Sequence, residues 1–404
     1  MSFASDASCW RDVYIAAAAR GLSVCGDFLA ATALALALQQ AGAGGFLVSA
    51  LMLAAIAPIA LLAPIGGRLA DRADSRAILV TVGSAQSVIC SVLAFVSEPW
   101  LIIALVAVLA SGLAVTQPTL AALVPAMVRR EDMSRAGGIT QTASSVGMLV
   151  APALAGVLAG QFGARVPLLI DAVSYAALVA AGVLLRTRRG SAQRATGSWT
   201  LRSDRLVAVM IVALAVTVAG VGAINVIEVF FIRETLHAST TIFGLVSAAW
   251  TAGVLLGAPI FGRLGRRWND PAKLVRMVLL CAAGCCVVVL GAATVPNAWL
   301  IVPFWIVGGF CNGGLNVYSA VVIAERVPDA VRGRAFAAMS AAVQAGGMVG
   351  FLVGGPLLEL FAPRPLVAAA GLAGLVAVAI CFAPVREFAP SGPASAKVGD
   401  SVGA

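Results

Sequence analysis

The sequence predicts an all-α membrane protein, with twelve transmembrane helices arranged as two parallel six-helix repeats. Three observations carry this reading. Hydrophobic residues make up 61% of the 404-residue chain and charged residues only 11%, and the mean hydropathy is +1.00. A soluble protein of this length needs far more charge to cover its surface. The charges that exist gather in short knots between long apolar runs, such as 101–115 and 207–221. A hydrocarbon layer ~30 Å thick selects such runs, because ~20 helical residues cross it with every backbone group paired internally. Finally, motifs of the first half return in the second.

Taken in order, the apolar stretches predict spans at 12–38, 44–69, 77–97, 99–124, 136–160 and 166–186, then at 206–233, 241–264, 274–294, 297–324, 335–361 and 364–383. Several exceed 25 residues, which calls for tilt or an overhang beyond the bilayer. The N-terminal region lacks a basic stretch, a short apolar core and a small-residue cleavage site, so the first span is expected to be retained. The expected organisation is a six-helix bundle over 1–186, a Ser/Arg/Gly-rich cytoplasmic linker over 187–205 and a second bundle over 206–384. A small, polar, Pro/Gly-rich cytoplasmic tail over 385–404 is expected to be disordered.

Basic residues set the orientation. Counted by loop, 23 Lys and Arg fall on the face that holds the N-terminus, the linker and the C-terminus, against Arg165, Arg233 and Arg364 on the other. Arg20 lies inside the first span. This asymmetry puts both termini in the cytoplasm of a protein of the cell membrane. It also accounts for the net charge of +9 without nucleic acid, since the arginines are spread loop by loop rather than gathered on one domain.

The repeat is visible at three places. Gly67-Arg68-Leu69-Ala70-Asp71-Arg72, after the second span, returns as Gly262-Arg263-Leu264-Gly265-Arg266-Arg267 after the eighth, an offset of 195 residues. The stretch 125–135 before the fifth span returns as 328–334 before the eleventh. Gly147-Met148-Leu149-Val150-Ala151-Pro152 returns as Gly350-Phe351-Leu352-Val353-Gly354-Gly355-Pro356. Six spans per unit keep the units parallel, the arrangement from which alternating-access carriers build a central site.

Gly67-Arg68-Leu69-Ala70-Asp71-Arg72-Ala73-Asp74-Ser75-Arg76 resembles the G-x-L-x-D-R-x-x-x-R loop of the major facilitator superfamily, in the place where that family carries it. Pro328-Asp329-Ala330-Val331-Arg332-Gly333-Arg334, Asp171-Ala172-Val173-Ser174-Tyr175 and Ser23-Val24-Cys25-Gly26-Asp27 look like the branch of macrolide-efflux and enterobactin-export proteins. The resemblance implies the major facilitator fold and a cytoplasmic gate at Gly67, Asp71, Arg72 and Arg76. It also implies a helix-packing motif in the fifth span. There the antiporter pattern Gly-Pro-x-x-Gly-Gly is reduced to Pro152 and Gly156, so proton-antiport export rests on a degenerate match. In the second half Gly265 stands where the gate acid would be.

Acids inside spans are costly, ~2.5–3.5 kcal/mol on insertion scales, so they are expected to face the bundle interior and to mark function. Asp27, in the middle of the first span, shares a helix face with Arg20 and Ser23. It either exchanges a proton, holds a cationic substrate, or forms a structural pair with Arg20. Glu228 and Asn225 share a face of the seventh span and suit a substrate or proton site. Asp171 reads as a structural cap near the outer surface. Asn312, Asn316 and Ser319 repeat at helical spacing, as a cavity stripe or as helix-to-helix glue. Gln86, Thr116, Gln117, Gln141, Trp250 and Gln344 read first as packing.

Small-xxx-small spacing at Gly346, Gly350 and Gly354 reads as close helix approach. The eight Cys, lacking any CxxC pair, read as small buried hydrophobes. The single histidine, His237, falls in an outer loop; one His leaves no basis for a metal site or catalytic triad, and no cofactor is expected. No phosphate-cradling GxxxxGK[ST] loop is present, so ATP drive within the chain is not expected.

The function expected is secondary active transport, not enzymatic. The partners are protons, the lipid bilayer and a small amphipathic substrate (drug, siderophore or secondary metabolite), exported by a monomer. An importer of a metabolite or lipid with the same fold is the alternative. A non-transporting sensor or scaffold would need neither the gate loop nor the midspan acids.

Overall fold

The computed structural model describes residues 8–187, 204–265 and 270–386. The linker interior (188–203) and the tail beyond 386 lie outside the described residues. Twelve helical segments are long and apolar enough to cross a membrane, and no strand occurs among the described residues. In order they are α1 (Trp10–Gln40), α2 (Gly45–Arg72), α3 (Ser75–Leu93), α4 (Pro99–Met127), α5 (Met133–Phe162) and α6 (Arg165–Leu184). The second set opens with α7 (Arg205–Val221) and α8 (Ile224–Phe230), which form one span together with a π-helical turn over Phe231–Thr235. It continues with α9 (Thr240–Gly265), α10 (Pro271–Ala292), α11 (Ile301–Arg326), α12 (Asp329–Leu360) and α13 (Pro363–Arg386).

Large apolar side chains point outward as well as inward: Leu61, Val173, Leu360 and Ile380 are each more than two-thirds exposed. In water such a surface would aggregate, whereas in lipid it is the solvent-matched face.

The helix pairings of the first six recur among the last. α1 packs on α5 and α6, α2 on α4, and α3 on α4 and α6. Correspondingly, α7 packs on α12 and α13, α9 on α11, and α10 on α11 and α13. The two sets meet along two equivalent seams, α5 with α9 and α2 with α12.

Helix starts follow local chemistry. Asp74, Asp204 and Asp270 each accept a hydrogen bond from a backbone N–H of the turn they open, at 3.4 Å from Arg76, 3.0 Å from Leu206 and 3.0 Å from Ala272. Asp74 and Asp270 are repeat equivalents, so the second half keeps this cap although it lacks the gate acid. Two expectations about local form change here. The gate motif is helical through Arg72, leaving only Ala73 and Asp74 as a connection. The seventh span is broken near Gly222, where glycines of α12 press on it: a Cβ added at Gly350 would stand 2.7 Å from the Ala223 nitrogen.

The seams are tight at the end away from the basic face. A Cβ at Gly156 of α5 would lie 2.9 Å from the Gly244 Cα of α9 and would collide with the Thr240 carbonyl oxygen. A Cβ at Gly45 of α2 would lie 2.7 Å from the Gly355 oxygen of α12. Hydrogen bonds cross at the same end: Gln39 donates to Glu234 (3.0 Å), Arg233 to Gln39 (3.4 Å) and the Phe46 N–H to Glu359 (3.2 Å). On the basic face, by contrast, a Cβ added at Gly67, Gly138, Gly262 or Gly333 would meet nothing within 4 Å. Among the described residues, these close approaches and cross-set hydrogen bonds lie at the face away from the basic one.

Candidate functional site: a cavity between the two helix sets

A cavity of about 470 Å³ lies between the two sets, within the range of small-molecule sites. Its walls are mostly apolar, including Phe28 of α1, Met52 of α2, Met148 of α5 and Phe243 of α9. Glu228 is the only ionisable acid or base other than cysteine among its lining residues.

The break in the seventh span sets the geometry. With the helix interrupted at Gly222, Asn225 turns back and donates to the Gly222 carbonyl at 3.2 Å, and Glu228 comes one turn later on the same face. Interrupted helices and π-turns recur where transporters and enzymes place polar groups in apolar surroundings. Two donors hold the carboxylate from neighbouring helices: Trp305 Nε1 at 3.0 Å and Ser247 Oγ at 3.1 Å, both onto Oε1. Trp305 is in turn fixed edge-on against Trp250, with ring centroids 6.0 Å apart. Asn312 lines the cavity and accepts from Asn316 at 3.1 Å. The expected stripe therefore divides: Asn316 is exposed, while Ser319 is buried and bonds back to the Leu315 carbonyl.

Asp27 does not line this cavity. It accepts from Tyr175 of α6 at 2.6 Å and borders a crevice of about 10 Å³ shared with Arg20, Thr116 and Gln117. That volume is about the smallest that admits one water. Asp171 is a correction: rather than capping a helix near the outer surface, it is 1% exposed within the bundle. It accepts from Ser174 (2.9 Å) and Cys90 (3.4 Å), and its Oδ1 lies where a Cβ on Gly26 would be. The acids thus separate into an α1–α6 group enclosed in the first set and a lone Glu228 facing the cavity.

Pro152 and Gly156 lie on the α5–α9 seam, where the Pro152 carbonyl oxygen and Gly156 leave Gly244 no room for a side chain. Of the gate residues, Arg72 is exposed and Arg76 is half-buried at the start of α3; the Asp71 side chain lies outside the described residues. Gln86 is buried and donates to the Leu109 carbonyl at 3.2 Å, joining α3 to α4. All eight cysteines are free and at least half-buried. Sequence reasoning missed Tyr175, Ser247 and Trp305 as partners of the acids. The first was detectable, since Asp171, Ser174 and Tyr175 share one helix face.

A two-fold repeated helical bundle with an internal, chemically sparse cavity between its halves defines the class as a membrane transporter. A sequence model of the Major Facilitator Superfamily matches residues 16–214 and again 206–401, so the chain belongs to that superfamily, whose members are transporters rather than enzymes. It is 24% identical over 315 residues to the multidrug resistance protein MdtG of Dickeya zeae, covering 76% of each chain. It is 28% identical over 120 residues to macrolide efflux protein A of Enterococcus faecalis, covering 28% of this chain and 37% of that one. Among solved structures it is similar to a bacterial homologue of the human lysosomal transporter Spinster in an inward-facing, unoccupied conformation. There the TM-score is 0.75 at 14% identity, covering 93% of this chain and 98% of the other.

Proposed function

We propose that this chain is a monomeric, proton-coupled exporter of a small amphipathic compound in the cell membrane, with the basic face and both termini in the cytoplasm. The observation that carries the reading is one carboxylate, Glu228, in an apolar cavity between two helix sets that meet through close glycine contacts and hydrogen bonds at the face opposite the basic one. With the basic face inward, this is the state that receives a substrate from the cell interior. The halves 1–186 and 206–384, joined by the linker 187–205, rock about the α5–α9 and α2–α12 seams. Closing the basic face engages Gly67, Asp71, Arg72 and Arg76 as the cytoplasmic latch. Relatives named for drug resistance and macrolide efflux support the outward direction.

Asp27 and Glu228 are the coupling acids, one in each half. Everted vesicles energised by respiration test this with ethidium, rhodamine 6G and a neutral dye as probes. The wild-type chain accumulates at least one dye, a protonophore abolishes the accumulation, and both Asp27→Asn and Glu228→Gln lose it. Full pH-driven transport in both variants, or accumulation indifferent to the protonophore, removes the coupling assignment.

A further inference from the structure

We propose that Glu359 of α12 and Gln39 of α1 form the latch of the outer face: they hold the cavity closed on the side opposite the basic one and must let go before a substrate can leave there. This deepens the proposed rocking motion and rests on it. The start of α2 ties the latch to one conformation. The first N–H groups of a helix have no partner within it, and Gly44, at the cap position of α2, has no side chain to supply one. Glu359 supplies it from the other helix set, accepting from the Phe46 N–H at 3.2 Å. A negative charge there also meets the positive end of the α2 dipole. Gly44 makes the room: a Cβ added to it would collide with Glu359 Oε1 and lie 2.9 Å from Oε2. The equivalent seam is built differently. There Ser239 caps α9 from within its own set, accepting from the Ile242 N–H at 3.2 Å, while Gly156 and Gly160 of α5 press on Thr240. On separation of the seams α9 keeps its cap and α2 loses one.

Gln39 ties the other two helices. Its carbonyl oxygen accepts from Arg233 Nε at 3.4 Å and its amide nitrogen donates to Glu234 at 3.0 Å. One neutral amide thus engages two neighbours of opposite charge on the π-helical turn that ends the seventh span. Ser49 of α2 works against these links. Its side chain is 3% exposed, faces Gly355 of α12, and its hydroxyl has no hydrogen-bond partner. A buried hydroxyl without a partner costs free energy, which is released once the seam opens and the group can bond. Latch and penalty oppose one another within the α2–α12 seam.

The test reads the distance between spin labels at Ser97 and Pro296, on the outer face, in the full chain in nanodiscs. Glu359→Ala raises the ratio of long to short distances by about 2- to 30-fold, the range for loss of a helix cap. Gln39→Leu shifts it in the same direction. Adding Ser49→Ala to Glu359→Ala moves the ratio back by about 5-fold or more, because the closed seam no longer buries an unpartnered hydroxyl. Asp270→Ala removes a cap that lies inside one helix set; it lowers the melting temperature and leaves the distribution alone, so lost stability by itself does not mimic an opened latch. The latch is overturned if either Glu359→Ala or Gln39→Leu keeps the wild-type distribution, or if Ser49→Ala pushes Glu359→Ala further toward long distances. Failure of the rocking motion looks different: the outer distances respond as expected, but labels at Gly138 and Gly333 on the basic face come no closer together.

Discussion

Replacing Gly156 with leucine is expected to drive the protein out of the conformation described here. A Cβ at this position would collide with the Thr240 carbonyl oxygen and stand 2.9 Å from the Gly244 Cα, both backbone atoms of α9 that no rotamer change can move. The α5–α9 seam must separate to admit the side chain. Overpacking of this kind costs ~1–3 kcal/mol, and the cost falls only on the state in which the seam is closed. A differential of that size moves a two-state population by about 5- to 150-fold. The assay is a distance distribution between spin labels at Ser97 and Pro296, exposed loop residues of the two sets on the face opposite the basic one. The variant should shift toward longer distances, while Gly138→Leu, where an added Cβ meets nothing within 4 Å, should not. An unchanged distribution in a folded Gly156→Leu protein refutes the seam as the moving contact.

Removing either donor to Glu228, by Trp305→Phe or Ser247→Ala, should weaken binding of a dye that the wild-type chain accumulates by about 10- to 150-fold through loss of orientation, since hydrogen bonds to a charged group carry ~1.5–3 kcal/mol. Equal affinity in both variants, measured by equilibrium dialysis, would show that the carboxylate is held by something else. Asp74→Ala and Asp270→Ala should each cost ~1 kcal/mol of stability by uncapping α3 and α10. Asn at either site should restore most of the loss in a thermal melt, and no recovery would contradict the capping role. Asp71→Asn should shorten the time spent with the basic face closed, read as faster labelling of a cysteine placed at Gly333. Unaltered labelling speaks against a latch.

The architecture was legible because the bilayer imposes one rule, internal satisfaction of every backbone group, and the apolar runs obey it along the whole chain. The cavity acid was legible too: Glu228 stood out as an isolated charge in an apolar span. Its setting was not, because the break at Gly222 packs against Gly350 and Gly354 of a helix more than a hundred residues later. Asp27 was read as a midspan acid facing the interior, but periodicity cannot distinguish the interior of one six-helix set from the cavity between two. Tyr175 and the enclosed Asp171 decide that point, and they come from α6. The Asn312–Asn316–Ser319 stripe failed as a unit because its three residues span nearly two turns, far enough for neighbouring helices to cover one end and leave the other open.

The central claim is that the two faces open in alternation about the cavity, and paired distance measurements test it without any substrate. One spin pair at Gly138 and Gly333 reports the basic face, and a second at Ser97 and Pro296 reports the opposite face. Across a pH series in nanodiscs the account predicts anticorrelated distributions, with short distances at one face accompanying long ones at the other, and loss of the pH response when Asp27→Asn and Glu228→Gln are combined. Faces that widen and narrow together, or a basic-face distance fixed at every pH, would contradict it.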